Sequence, residues 1–164
     1  MNQKKILPSD FEFMAEALLE AQKAFNRGEV PVGAVLVLKG EIISRNFNQM
    51  ERLKDPSAHA ELLCIREGAQ VIGDWRLLET TLYTTLEPCL MCAGALLLAR
   101  VKRIVWGAPD LRHGAHGSYL DVFAVKHPTH QARIEGGVRE EESKALMQAF
   151  FKRRRDEKAL GRTI

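Results

Sequence analysis

The 164 residues, 46% apolar and 27% charged, fit one globular domain able to bury roughly 70% of its unfolded surface, and predict a single domain over 1–164 with no room for a second. A net charge of +3 permits a polyanionic partner without requiring one. The polar opening Met1-Asn2-Gln3-Lys4-Lys5 argues against a secretory signal or a membrane span, and a cytoplasmic location is expected, or an organelle if a transit segment has been removed.

In chain order, Asp10 is placed to cap a helix over residues 11–26, where Phe11, Met14, Leu18, Ala21 and Phe25 recur at helical spacing and Gly28 stops the run. The apolar stretch 30–38, the Lys39-Gly40 turn and the alternating stretch 41–47 read as an antiparallel hairpin whose first strand is interior. Residues 48–57 read as a loop, with Asp55 capping and Pro56 opening a helix over 56–70. A strand over 80–86 feeds through Glu87-Pro88-Cys89 into a helix over 90–99, followed by a strand over 103–107. A loop over 108–117, a short helix over 118–125 and a strand over 132–135 are expected next. A final helix over 138–159 carries Ala145, Leu146, Ala149 and Phe150 as its apolar stripe, and runs from acidic Glu140-Glu141-Glu142 to basic Lys152-Arg153-Arg154-Arg155. Strands alternating with helices after an opening hairpin predict a three-layer α/β/α sandwich around a mixed, five-stranded sheet.

Two short segments carry the chemistry. Cys89 and Cys92, three apart at a predicted helix start, put two sulfurs on one face where free N–H groups favour thiolates. His59, at the preceding helix start, adds an imidazole if the strands feeding the two helices are neighbours. Three protein ligands hold one zinc ion and leave the fourth position for water, as catalytic sites do. Cys64 lies about 140° around the helix from His59 and is flanked by Leu62, Leu63 and Ile65, so it reads as a buried apolar residue. Glu61 beside the metal is the candidate catalytic proton carrier, first as base and then as acid. A Cys-x-x-Cys alone is also the mark of a structural zinc knuckle or a redox pair. Those readings leave His59 and Glu61 without a task.

His-x-Glu combined with Pro-Cys-x-x-Cys is the known signature of zinc deaminases acting on nucleobases. Over nearly its whole length the sequence resembles the bacterial tRNA-specific adenosine deaminases, through Glu29-Val30-Pro31-Val32-Gly33-Ala34-Val35, Asp55-Pro56-Ser57-Ala58-His59-Ala60-Glu61, Thr85-Leu86-Glu87-Pro88-Cys89-Leu90-Met91-Cys92-Ala93-Gly94-Ala95 and Gly107-Ala108-Pro109-Asp110. The resemblance implies a cytidine deaminase-like sandwich, a homodimer, and hydrolytic conversion of adenosine to inosine at the first anticodon position of tRNA. It implies that Asn48 contacts the target nucleoside, that Val30 and Leu86 wall the base, and that Asp110 meets the nucleotide backbone. Without it, Asn48 and Asp110 read as turn residues.

Phe150 to Arg155 resembles the family's C-terminal segment, whose aromatic and basic residues meet the anticodon stem-loop. Phe151, Arg153, Arg154 and Arg155 are thus the candidate RNA contacts, whereas Phe150 reads better as a core residue. The sequence departs from the family at Arg112, usually Lys, at His116, usually a small residue, and over 124–135. His113, His127 and His130 read as surface residues, while His116 is open to meeting a phosphate. Two alternatives remain at this stage: an enzyme on the same scaffold deaminating a free base or nucleoside of the guanine or cytosine type, and an inert zinc domain, against which the retention of Glu61 speaks.

Overall fold

A computed structural model describes residues 6–161. Helix α1 (Pro8–Asn26) is followed by β1 (Gly33–Leu38) and β2 (Glu41–Phe47), the short α2 (Met50–Leu53), α3 (Ala60–Ile72), β3 (Thr80–Leu86), α4 (Leu90–Leu98), β4 (Arg103–Ala108), β5 (Arg133–Gly136) and α5 (Glu140–Ala159). The five strands form one mixed sheet in the order β2-β1-β3-β4-β5. β1 is antiparallel to both β2 and β3, while β3, β4 and β5 run parallel.

Strand periodicity builds the layers. Ala34, Leu36, Leu82 and Ile104 point to one face, where they pack with Ala60 and Cys64 of α3 and Leu96 of α4. The intervening Val35, Val37, Tyr83 and Val105 point to the other and meet Met14 and Ala17 of α1. Helix α5 joins α1 on that second face, where Phe25 and Phe150 meet edge to face. The expected α/β/α sandwich with five strands is thus the observed fold. α1 crosses β1 so closely that a Cβ on Gly33 would lie 2.1 Å from the Ala17 carbonyl oxygen, which only glycine permits.

Several local expectations are corrected. Asp10 is not the residue flanking α1 but sits within its first turn, where it accepts the Leu7 N–H at 2.6 Å. Its carboxylate is fully buried and receives both terminal nitrogens of Arg103, at 2.7 and 2.8 Å, and the Tyr83 hydroxyl at 2.8 Å. Arg103 Nε donates to Glu135 at 2.6 Å, so one cation ties α1 to three strands. Residues 30–32 precede β1 without joining it, Pro31 having no N–H to give a ladder. The Lys39-Gly40 turn is as expected: φ of 52° and 84° make it the tight hairpin type that matches strand twist.

Residues 48–57 include helix α2, and α3 starts at Ala60 rather than 56, because Asp55 Oδ1 accepts the Ser57 N–H (2.8 Å) and hydroxyl (2.6 Å) and closes a turn instead of capping a helix. The helix expected over 118–125 is absent: Asp121 Oδ1 accepts the Phe123 and Ala124 N–H groups at 3.1 and 3.0 Å, folding the segment into a turn. On α5, Ala145 and Ala149 are exposed, and the inward residues are Ser143, Leu146, Met147 and Phe150. Phe150 is a core residue, 2% exposed. No helix among the described residues is long and apolar enough to cross a membrane.

Candidate active site

His59 and Cys89 occupy equivalent positions. Each is the extended residue that caps a helix, α3 and α4 respectively, and Cys92 lies in the first turn of α4. The strands feeding these helices are not neighbours, because β1 runs between β2 and β3. The helices nonetheless pack side by side on one face of the sheet, which brings the three side chains together. His59 Nδ1 stands 3.6 Å from Cys89 Sγ and 3.5 Å from Cys92 Sγ. All three ligand atoms lie within 4.8 Å of one another. A tetrahedral zinc with ordinary Zn–S and Zn–N bonds requires S···N separations of about 3.6 Å, so donor types and spacing both fit zinc. Cys64 is elsewhere, fully buried; its thiol donates to the Ala34 carbonyl at 3.6 Å, and burial pushes its pKa up to about 12.

The electrostatics suit the same purpose. The Cys92 thiol, as donor, is the strongest influence holding Cys89 down to about 4, with His59 adding to it. Cys92 is correspondingly pushed up by Cys89, and His59 is raised by its contact with the Cys89 sulfur. Glu61, in the first turn of α3, is 3% exposed, and burial raises its carboxyl to about 6.

These residues open onto a cavity of about 1110 Å³. Glu61, His59 and Cys89 lie on it, as do Asn48, Val30 and Leu86. Asp110 also reaches it while its Oδ1 accepts the N–H groups of Arg112 (3.0 Å) and His113 (3.2 Å), so it is both a turn residue and a wall residue. From α5 come Lys144, Met147, Gln148, Phe151, Arg154, Arg155 and Lys158, a run at three- and four-residue intervals that marks one helix face. Arg153 falls off that face. Its guanidinium lies 4.4 Å from the centre of the Phe25 ring and donates to the Phe25 carbonyl at 3.0 Å, so it fastens α5 to α1 and does not line the cavity.

Sequence reasoning missed Lys144 and Lys158, which the helical period extended from Arg154 and Arg155 would have found. It also missed two buried carboxylates. Glu29, 2% exposed, accepts Asn48 Nδ2 at 3.5 Å and the Glu51 and Arg52 N–H groups at 3.2 and 2.7 Å. Glu87, 1% exposed, accepts hydrogen bonds from the loop after β4. Nothing in their local sequence distinguishes them from surface acids. His116, the residue left open, accepts the Trp106 indole N–H at 3.0 Å and stacks edgewise on Trp106 and Phe123, which makes it part of the loop's packing. His113 is exposed, whereas His130 is half-buried and donates to the Val101 carbonyl at 2.7 Å.

A His-Cys-Cys set beside a buried glutamate, at the starts of two helices on an α/β/α sheet, defines a zinc-dependent deaminase. Comparison agrees: residues 8–108 match the zinc-binding region of the cytidine and deoxycytidylate deaminases. The chain is 46% identical over 156 residues to the tRNA-specific adenosine deaminase of Bacillus subtilis, covering 95% of this chain and 97% of the relative. It is 50% identical over 158 residues to a chloroplastic tRNA(adenine(34)) deaminase of Arabidopsis thaliana, covering 87% of this chain but only 12% of that longer protein. A solved structure from studies of A-to-I editing by tRNA:A34 deaminases superimposes with a TM-score of 0.79 at 43% identity, over 82% of this chain and 98% of that one. The chain belongs to the tRNA-specific adenosine deaminases.

Proposed function

We propose that this protein converts adenosine to inosine at the first anticodon position of tRNA, releasing ammonia. The observation that carries the reading is the shared cavity: the zinc set and Glu61 open onto the same space as the cationic face of α5. That space lies at the upper end of small-molecule pocket sizes. A free guanine or cytosine needs neither the volume nor Lys144, Arg154, Arg155 and Lys158 along its rim, whereas an RNA backbone uses both.

His59, Cys89 and Cys92 hold the zinc, one ion per chain. When bound, zinc supplies the Lewis acidity that brings the pKa of water from 15.7 to about 7. Glu61 takes the proton of the attacking water and delivers it to the ring nitrogen beside C6. It then takes the remaining proton from the hydroxyl now on C6 and gives it to the amine, so that the C6–N bond breaks, ammonia leaves and the C6 carbonyl of inosine forms. Its place on the cavity beside the zinc ligands suits this double duty. Val30 and Leu86 sandwich the base in apolar surroundings. Asn48, with one Nδ2 hydrogen given to Glu29, keeps its oxygen and its second hydrogen for the nucleoside.

Outside the base pocket, Asp110 stands where the nucleotide backbone enters. Phe151 offers a ring on which a splayed base stacks, and Arg154 and Arg155 with their lysine neighbours take the phosphates of the anticodon stem-loop. The chain acts as one domain, in the cytoplasm, and as a homodimer. The outer face of α4 supports the dimer: Leu90, Met91 and Leu98 are 53%, 40% and 66% exposed on an almost wholly apolar helix beside the zinc ligands, a surface that a second copy would cover. Incubating the zinc-loaded protein with total tRNA, beside free adenosine, guanine and cytosine, tests the substrate class. Inosine in tRNA supports it; ammonia from a free base with no inosine in tRNA overturns it.

A further inference from the structure

We propose that Glu87 is a positioning residue: its carboxylate is the fixed point around which the cavity-lining loop 110–118 is wound, and through that loop it sets how the substrate backbone is presented to the zinc site. The substrate's identity rests on the tRNA reading above, while the loop's dependence on Glu87 does not.

Glu87 lies between the base wall, Leu86, and the segment Pro88-Cys89 that carries a zinc ligand. Its side chain is 1% exposed and its hydrogen-bond donors are neutral groups of one loop. Oε1 accepts the His116 N–H at 2.8 Å and the Ser118 N–H at 3.3 Å. Oε2 accepts the Asp110 N–H at 3.1 Å and also the Ser118 hydroxyl. A buried carboxylate must be met by such donors, and here the loop supplies them. Gly114 makes this possible, because a Cβ there would lie 2.4 Å from Glu87 Cδ and 2.5 Å from Oε2. The backbone repeats the attachment: Ala115 N–H donates to the Pro88 carbonyl at 2.9 Å, and Gly114 bridges Cys89.

Besides Glu87, the loop is held by His116 against Trp106 and Phe123 and by its own turn bonds, but Glu87 alone gathers its first and last residues, Asp110 and Ser118, on one side chain. Its large apolar residue Leu111, and Tyr119 and Leu120 just beyond it, are 78%, 63% and 44% exposed, so hydrogen bonds carry much of its order. Yet its first turn places Asp110, Arg112 and His113 on the cavity. Because the bonds come from the loop and not from the sheet, loss of the carboxylate frees the loop while the sheet stays folded.

Glu87→Gln sets an amide NH₂ against donors, and Gly114→Ala pushes a methyl into the carboxylate from the other side. Each variant, zinc-loaded, is compared with the parent by zinc content, thermal unfolding, hydrogen exchange and steady-state kinetics on tRNA. The expected result is unchanged zinc and cooperative unfolding, exchange at the Asp110, His116 and Ser118 amides at least about tenfold faster, and KM raised about tenfold with kcat nearly unchanged. The double variant should be no worse than the more affected single one, since both break one contact. Unchanged loop exchange and KM in a folded Glu87→Gln protein overturn the proposal. So does loss of folding or zinc in both variants, which makes Glu87 a purely structural residue. If the parent forms no inosine in tRNA, the functional reading fails, and the exchange rates alone decide the role of Glu87.

Discussion

His59 Nδ1 lies 3.5 Å from Cys92 Sγ, although α3 and α4 follow strands that are not adjacent. Their contact depends on the packing of the two helix starts, so each ligand is irreplaceable by its neighbours. With Cys64 buried against Ala34, no spare thiol can substitute. Replacing His59, Cys89 or Cys92 is expected to remove the zinc, and metal analysis checks it. Full zinc occupancy in the Cys89→Ser, Cys92→Ser double variant would show that the metal is held elsewhere.

On the opposite face, Arg103 is the single cation joining Asp10 and Glu135. Replacing it with Met leaves the buried Asp10 carboxylate without its cation and Glu135 with only Arg133, 3.3 Å away, and is expected to cost about 3–5 kcal/mol of stability, measured by urea unfolding at neutral pH. A loss below about 1 kcal/mol, the range of exposed ion pairs, would mean that the network is not holding the elements together.

The same pair governs the acid limb. Burial raises the Asp10 carboxyl, but hydrogen bonds from Arg103, the Leu7 N–H and Tyr83 together outweigh it and hold the carboxyl below 3.8. A carboxyl depressed by folding contributes stability that is present above its unfolded pKa and is lost as pH falls through the folded value. The parent should therefore lose stability as pH falls below about 4, near the unfolded Asp value. Asp10→Asn should be less stable at neutral pH and flatter in that acid range. An equal acid slope in both proteins would contradict the assignment.

Arg153 and Arg154 are neighbours in sequence with different surroundings: Arg153 lies on Phe25, and Arg154 lines the cavity. Replacing Arg154, Arg155 and Lys158 with Ala should weaken tRNA binding and lower its salt slope, by up to roughly one unit for each lost phosphate contact. Arg153→Ala should leave the slope alone and lower stability by about 1 kcal/mol through loss of its stacking on Phe25. Filter binding at several salt concentrations separates the two; a slope that responds to Arg153 and not to the others would reverse the assignment.

The hairpin, the strands expected over 80–86 and 103–107 and the metal ligands were legible because each rests on a local signal: β-rich or alternating residues, a Lys-Gly turn, or Cys-x-x-Cys beside a helix start. Misplaced features had competing local chemistry. Asp55 and Asp121 close turns where a helix cap or a helix was expected, and Asp10, which resembles an ordinary cap, is committed to Arg103 from ninety-three residues away. The facing of Arg153 follows from helical rotation, so reading four consecutive basic residues as one patch ignored the 100° between neighbours. Glu29 and Glu87 were invisible because nothing adjacent to them announces burial; their partners come from segments folded over them later in the chain.

The central claim, proton transfer by Glu61 during adenosine deamination in RNA, is tested most directly by single-turnover inosine formation in an anticodon stem-loop with adenosine at its first anticodon position. The zinc-loaded parent and the zinc-loaded Glu61→Ala variant are compared at saturating RNA. The account predicts complete conversion by the parent and a rate lower by about 10²–10⁴ in the variant, with zinc content and RNA affinity retained. Comparable rates in the two proteins, or no inosine from the parent while it releases ammonia from free guanine or cytosine, would contradict it.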